Sequence, residues 1–151
     1  MRIAIASDEA TTLTDEVSEA LSAAGHDVAP LGPLAGGSEE WAEVSAALGR
    51  EVAEGRSEAA VLFCWSGTGA AIAANKVQGV RAALCGDAAT ARLARKYNHA
   101  NVLVMSLRAT SGAVGREIVE AFLDEPYGDD DFDHRNVAHV EELDDARAGG
   151  S

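Results

Sequence analysis

The sequence predicts an α/β fold: a doubly wound, Rossmann-like three-layer sandwich with a five-stranded parallel sheet and a C-terminal helical tail. Three observations lead to this prediction. Short apolar runs alternate with segments in which apolar residues recur every four positions, as strands alternate with amphipathic helices. The runs are almost wholly apolar, which is typical of strands covered on both faces. Polar capping residues stand where two of the helices should begin.

The predicted strands are short runs rich in Ala, Val, Leu and Ile. They are Ile3 to Ala6, Val28 to Leu31, Ala59 to Phe63, Arg81 to Leu84 and Asn101 to Met105. Each run is followed by a helical pattern, so the chain repeats a strand–helix unit. That repetition indicates parallel strands with helices on both faces of one sheet.

The predicted helices rest on apolar spacing and on caps. Their marker residues are Leu13, Val17 and Leu21; Val44, Leu48 and Val52; Asp87 as the cap before Ala88 to Tyr97; and Ser111 as the cap before Val114, Ile118 and Phe122. Val137, Val140 and Leu143 indicate a short final helix, and residues 146–151 are expected to fray. We therefore expect a single domain over residues 1–145.

Composition restricts the possible partners. The chain has 151 residues, a formal charge of −13 and a pI near 4.5. This charge should repel nucleic acid and anionic lipid, so neither is expected as a partner. No apolar run approaches the length of a membrane helix, and Cys64 and Cys85 show neither a CxxC motif nor zinc-ligand spacing. We expect a cytoplasmic protein without a metal site.

The most informative segment is a glycine-containing turn that follows the third strand. Gly67 and Gly69 permit tight backbone geometry, so that successive amides can converge on an anion or a developing oxyanion. Ser66 and Thr68 add hydroxyl donors at the same place. The segment lacks the spacing of a P-loop or of a dinucleotide fingerprint. A tight strand-to-helix turn without a ligand is the alternative interpretation.

Cys64 stands just before this turn, at the predicted carboxyl end of a strand, where open α/β sheets place their ligands. A helix start beside a thiol favours the thiolate, which is a usable base or nucleophile. The alternative is that the residue is a small buried hydrophobic side chain, as isolated cysteines usually are. For Cys85 we prefer that alternative.

The residues from Cys64 to Lys76, followed by Gly79 to Cys85 and Asn101 to Leu103, resemble the ribose-5-phosphate isomerase B and galactose-6-phosphate isomerase family. The likeness extends from Met1 to about Leu123. It implies that Cys64 is the base that moves a proton between C1 and C2 of an open-chain sugar. It also implies that the turn stabilises the enediolate, without a cofactor.

The chain departs from the family at two places that contact the sugar. The family usually has an Asp-His pair after the first strand, where this chain has Asp8 and Glu9. These two carboxylates could instead begin the following helix. The family's His-Asn pair after the fourth helix is matched by Tyr97 and Asn98. A phenol is a poor general base near neutral pH; His99 could substitute, but we interpret it as an exposed histidine at the helix end.

The phosphate site of the family is also only partly matched. An arginine after the fifth strand corresponds to Arg108, whereas the tail pattern Arg-His-x-x-Arg is replaced by His134, Arg135 and His139 among many acidic residues. Arg135 is the nearest match in the tail, and a solvated surface arginine is the alternative.

The leading hypothesis is an aldose–ketose isomerase of a sugar phosphate, of the ribose 5-phosphate/ribulose 5-phosphate type. The alternatives are an isomerase of a different or non-phosphorylated sugar and a non-catalytic sugar-binding homologue. The resemblance implies a homodimer or homotetramer with shared active sites. The candidate catalytic residues are Cys64, Thr68, Asp8 and Tyr97, and the candidate substrate-binding residues are Glu9, Ser66, Gly67, Gly69, Ala70, Asn98, Arg108 and Arg135.

Overall fold

Five parallel strands form the central sheet of the computed structural model, which describes residues 1–149. They are β1 (Arg2–Ser7), β2 (Asp27–Leu31), β3 (Ala59–Cys64), β4 (Ala82–Leu84) and β5 (Val102–Ser106). Their order is β2-β1-β3-β5-β4, and every neighbouring pair is parallel. The predicted fold class is confirmed, and the strands agree with the predicted runs to within one residue at each end.

Six α-helices and one 3₁₀ turn connect and flank the strands within the described residues. They are α1 (Thr12–Ala23), the 3₁₀ turn (Gly32–Ala35), α2 (Trp41–Ala53), α3 (Thr68–Ala74), α4 (Ala88–Asn98), α5 (Gly112–Asp124) and α6 (Asp131–Gly149). Both predicted caps are confirmed. Asp87 accepts a hydrogen bond from the amide of Thr90 at 2.7 Å, and Ser111 accepts one from the amide of Val114 at 3.2 Å.

Strand β1 presents side chains of different size to the two faces of the sheet. Ile3, Ile5 and Phe63 lie on one face, which α1, α4 and α5 cover. Ala4, Ala6 and Ala60 lie on the other face, which α2 and α3 cover. Because side chains alternate along a strand, each strand contributes to both layers of the core.

The C-terminal helix differs from the prediction in length and in packing. Instead of a short helix with a frayed end, α6 has 19 residues and runs to Gly149; residues 150 and 151 lie outside the described part of the chain. Val140 and Leu143 are 43% and 58% exposed, so the apolar spacing does not mark a buried face. Polar contacts hold the helix instead. Asp144 accepts from the amide of Gly79 at 2.9 Å, and Arg147 donates to the carbonyl of Lys76 at 3.3 Å.

Candidate active site

Cys64 ends β3 and is buried beside the residues that begin α3. The next three residues form the turn, and Gly67 adopts a φ of +81°, which permits the chain to enter the helix at Thr68. The hydroxyl groups of Ser66 and Thr68 lie 2.8 Å apart at the surface of the turn. The structure therefore places a thiol, two hydroxyl groups and the amides of a glycine turn at one carboxyl edge of the sheet.

Neighbouring segments fix the shape of the turn. The amide of Leu107 donates to the carbonyl of Cys64, and the amide of Arg108 donates to that of Trp65, both at 3.0 Å. The hydroxyl of Ser106 donates to the carbonyl of Trp65 at 3.0 Å as well. These bonds bring Arg108, a candidate phosphate ligand, to the side of the turn.

Gly67 is closely surrounded. A β-carbon at this position would lie 2.5 Å from Cδ1 of Leu84 and 3.3 Å from the backbone of Met105. Gly69 is similarly restricted, because a β-carbon there would lie 3.0 Å from the indole ring of Trp41. A β-carbon at either position would therefore displace the side chain of Leu84 or Trp41, and Gly67 is also favoured by its backbone angle.

Trp41 is a residue of this edge that the sequence analysis missed. It begins α2, its indole lies against Gly69, and its side chain is 46% exposed. The available signal was composition, because the chain has only two tryptophans and the other, Trp65, is part of the turn. An aromatic wall suits a sugar, whose C–H faces are apolar.

Asp8 and Glu9 lie at the same edge as Cys64. Ser7 pairs with Phe63 across the sheet, so Asp8 is level with Cys64 on the next strand. The hydroxyl of Ser7 donates to the carbonyl of Glu9 at 2.7 Å and accepts from its amide at 3.2 Å, which fixes this bend. Helix α1 starts only at Thr12, capped by Thr11, so the two carboxylates do not belong to its first turn.

Tyr97 and Asn98 lie at the opposite edge of the sheet, where the amino ends of the strands meet. They end α4, shortly before the amino end of β5 at Val102, whereas Cys64 pairs with Ser106 at the carboxyl end of that strand. Four residues of strand separate the two ends, or about 13 Å at about 3.3 Å per residue. Within one chain, the structure does not bring Tyr97 and Asn98 to Cys64.

Arg135 lies with this second group. It stands in the first part of α6, where its guanidinium lies 5.9 Å from the centre of the Phe132 ring. The segment before α6 is joined to the end of α4, because the amide of Gly128 donates to the carbonyl of Lys96 at 2.9 Å. The candidate residues thus form two groups: Asp8, Glu9, Cys64, Ser66, Gly67, Thr68, Gly69, Ala70 and Arg108 at one edge, and Tyr97, Asn98 and Arg135 at the other.

The interpretation of His99 as an exposed histidine is wrong. Its side chain is 7% exposed, and its ring stacks on that of Tyr127 with 4.5 Å between the centroids. The sequence places His99 at a helix end, which is usually exposed, but the segment after α5 folds back over it. The ring is therefore enclosed by packing.

The two cysteines have different surroundings. Burial, with a smaller contribution from the Asp87 carboxylate, raises the pKa of the Cys85 thiol to about 11. Cys85 therefore remains a protonated thiol near neutral pH, in agreement with its interpretation as a structural residue. Cys64 adjoins the hydroxyl-bearing turn, while Cys85 directs its sulfur to the carbonyl of Ala83 at 3.6 Å.

Apolar side chains surround the turn on the outside of the molecule. Trp65 and Ile72 are 62% and 60% exposed, and Leu84, on the edge strand β4, is also exposed. Exposed side chains of this size beside a candidate site are typical of a surface that another protein chain covers.

Among residues 1–149, no group of three or more His, Cys, Asp or Glu residues is arranged to hold a metal ion. No helix in that range is long and apolar enough to cross a membrane.

Comparison with known proteins identifies close relatives over most of the chain. A family model described as Ribose/Galactose Isomerase matches residues 3–142. The galactose-6-phosphate isomerase subunit LacB of Clostridium acetobutylicum is 32% identical, over 85% of this chain and 74% of that protein. The D-erythrulose-4-phosphate isomerase of Pectobacterium atrosepticum is 33% identical, over 82% and 83%. The type B ribose 5-phosphate isomerase of Trypanosoma cruzi superposes with a TM-score of 0.90 at 33% identity, covering 97% of both chains.

Proposed function

Because the chain belongs to the ribose/galactose isomerase family, we propose that it interconverts an aldose phosphate and the corresponding ketose phosphate, of the ribose 5-phosphate/ribulose 5-phosphate type. The observation that carries this proposal is the position of Cys64, at the carboxyl end of β3 and directly before the glycine turn. A base and a set of oxyanion donors are the two components that proton transfer beside a carbonyl group requires.

In the proposed reaction, the thiolate of Cys64 takes the proton from C2 of the open-chain aldose. The electron pair of the C–H bond forms the C1–C2 double bond, and negative charge develops on O1. The amides of Gly67 to Ala70, with the hydroxyls of Ser66 and Thr68, donate hydrogen bonds to this enediolate. A proton passes from O2 to O1, and the thiol returns its proton to C1, which yields the ketose.

The remaining candidate residues would hold the hydroxyl groups and the phosphate. Asp8 is level with Cys64, Glu9 follows it in the bend after β1, and both can accept hydrogen bonds from sugar hydroxyls. Tyr97 stands where the family has its ring-opening histidine, so we assign it a hydrogen bond to the ring oxygen. Asn98 would contact a hydroxyl, and Arg108 and Arg135 would bind the phosphate.

The division of these residues between two edges supports a shared active site. We propose a homodimer or homotetramer in which Tyr97, Asn98 and Arg135 of one subunit approach the Cys64 turn of another. The exposed Trp65, Ile72 and Leu84 provide the apolar surface that such a contact would bury.

We expect catalytic activity to depend on assembly. Analytical ultracentrifugation should show a dimer or tetramer, and specific activity should fall on dilution in step with dissociation. The physical reason is that a single chain holds Cys64 and Tyr97 at different edges of its sheet. A monomer with the full specific activity would contradict the shared site.

The charges around Tyr97, Asn98 and Arg135 predict that the enzyme prefers phosphorylated substrates only modestly over free sugars. His134 contacts Asp129 at 3.0 Å and His139 contacts Glu142 at 3.3 Å, so acidic groups accompany both histidines. Arg135 follows Asp133 and Asp131 on the same helix. These carboxylates lower the positive potential that a phosphate would meet.

We expect the ratio of kcat/KM for an aldose phosphate over the free aldose to stay below about a thousandfold, and to fall by less than about tenfold in Arg108→Ala or Arg135→Ala. The substrates should include four-, five- and six-carbon aldoses with and without phosphate. Arg50→Ala removes an exposed arginine of α2 that is not part of the proposed phosphate site, and it serves as the control. A ratio of many thousandfold that collapses in either variant would indicate a conventional phosphate site.

The same measurements test an alternative, an isomerase of a different or non-phosphorylated sugar. The observation that favours it is the exposed carboxylate of Glu9 beside Asp8, which suits a hydroxyl group better than a phosphate. Turnover of free aldoses with little gain from phosphorylation would support this alternative. Binding of sugars without proton exchange at C2 would instead indicate a non-catalytic homologue.

A further inference from the structure

His99 ends α4 in a backbone conformation that side chains rarely adopt. Its φ of 49° and ψ of 43° lie in the left-handed region, and it is the one non-glycine residue among residues 1–149 with a positive φ. A side chain stays in this region when its surroundings hold it there. Since His99 is also buried, the contacts of its ring identify what holds it.

Those contacts connect the end of α4 to the segment that precedes α6. The ring lies parallel to that of Tyr127, with 5° between the planes, and meets the edge of His134 at 5.4 Å between the ring centroids. Nε2 lies 3.0 Å from the carbonyl oxygen of Gly128. Because a carbonyl oxygen only accepts, Nε2 carries a proton and donates it to this bond.

The backbone on either side is held as well. The carbonyl of His99 accepts a hydrogen bond from Nε of Arg81 at 2.7 Å. The carbonyl of Ala100 accepts from Arg95 at 2.7 Å, and the guanidinium of Arg95 lies 4.5 Å from the centre of the Tyr127 ring. We call His99, Tyr127, Gly128 and His134 the His99 cluster.

Tyr97 and Asn98 themselves are exposed. The orientation of these two side chains therefore depends on the backbone that carries them. His99 is the next residue of that backbone. Arg135 follows His134, whose ring contacts His99, and Gly128 before α6 bonds to both His99 and Lys96, so the same cluster joins the helix that carries Arg135 to the end of α4. One set of contacts thus connects the backbone segments that carry these three residues.

We propose that His99 is a positioning residue, which fixes Tyr97, Asn98 and Arg135 as one unit for the site of another subunit. This proposal rests on the proposed function, because it assigns the unit to a shared isomerase site. His99 does not contact the sugar in this arrangement. It removes the need to order three exposed side chains separately when the substrate binds.

The first test is a set of substitutions followed by steady-state kinetics with aldose phosphates. Glycine permits the left-handed backbone, so His99→Gly removes the ring without straining the turn. We expect this variant to fold and its KM to rise by about tenfold, with a smaller change in kcat. Tyr127→Leu, which removes the stacking face, should likewise raise KM more than it changes kcat. Tyr127→Phe keeps that face and loses only the bonds of the hydroxyl to Arg95 and Ala100, at 3.1 and 3.3 Å, so its KM should stay closer to that of the parent protein than the KM of Tyr127→Leu.

A merely structural role predicts a different outcome. His99→Gly would then lower the melting temperature, while the fraction that remains folded would keep the parent KM. An unchanged KM in His99→Gly and Tyr127→Leu overturns the proposal.

The second test asks which subunit's site His99 serves. Chains with His99→Gly and Cys64→Ala are co-expressed with different tags, and the mixed assembly is purified by both tags. In a mixed dimer, the intact Cys64 belongs to the His99→Gly chain and the intact His99 to the other. If His99 serves the neighbouring subunit, that site is complete, and about half of the parent activity should return with the parent KM.

A mixed assembly in which the raised KM persists overturns the proposal, because His99 would then act on the site of its own chain. Inactivity of the parent protein towards every aldose and ketose tested would instead overturn the proposed function. The two failures are distinguishable, because the second is seen before any substitution is made.

Discussion

Cys64→Ala should fold normally and lose turnover by about a hundred- to ten-thousandfold, since the removal of a general base removes the chemical step. The side chain is small and almost fully buried, so alanine should fit its space with little effect on stability. The direct measurement is exchange of the C2 proton with solvent deuterium in an aldose phosphate. It reports the proposed step even if product release limits turnover.

Cys85→Ala is the matched control for this change. Both thiols are buried at the carboxyl ends of strands, but the raised pKa of Cys85 keeps it protonated, and its side chain lies on the opposite face of the sheet from Cys64. Proton exchange should therefore stay close to the parent rate in Cys85→Ala. Near-parent exchange in Cys64→Ala would contradict the mechanism, and a comparable loss in both variants would mean that neither thiol is the specific base.

Gly67→Ala should lower kcat by about a hundredfold through displacement of the turn amides, which are the proposed oxyanion donors. The added β-carbon would meet Leu84 and the backbone of Met105, and φ at this position is +81°. The strain of the left-handed conformation should cost about 1 kcal/mol of stability, which leaves the protein folded. Kinetics and thermal unfolding of the same preparation would separate the two effects.

Gly86→Ala provides the comparison at the same edge of the sheet. No atom lies within 4 Å of the β-carbon that it would add, so the substitution should change neither kcat nor the melting temperature appreciably. If Gly67→Ala kept the parent kcat, the turn amides would have no part in stabilising the transition state.

The sequence predicted the strands and the helix starts well because their signals are local. The apolar runs of β1 and β3 are continuous, and Asp87 and Ser111 cap helices through bonds within their own turn. The position of Cys64 also followed from local order, since a thiol at the end of β3 must reach the carboxyl edge of a parallel sheet.

Features that depend on distant contacts could not be predicted in this way. Helix α6 extends to Gly149 because Asp144 and Arg147 bond to the segment after α3, about 70 residues earlier in the chain. The burial of His99 depends on Tyr127, and the role of Trp41 depends on its contact with Gly69. None of these pairs leaves a periodic pattern in the sequence, so neither composition nor spacing indicates them.

The unequal side chains that β1 presents to the two faces of the sheet make the core on its two sides sensitive to opposite kinds of mutation. On the face of Ile3, Ile5 and Phe63, loss of volume is the main hazard, because it leaves a cavity. Around Ala4, Ala6 and Ala60 on the other face, gain of volume is the hazard, because these small side chains are fully buried under α2 and α3. Helix α3 follows the glycine turn, so an additional methylene group at one of these three alanines would also shift the turn.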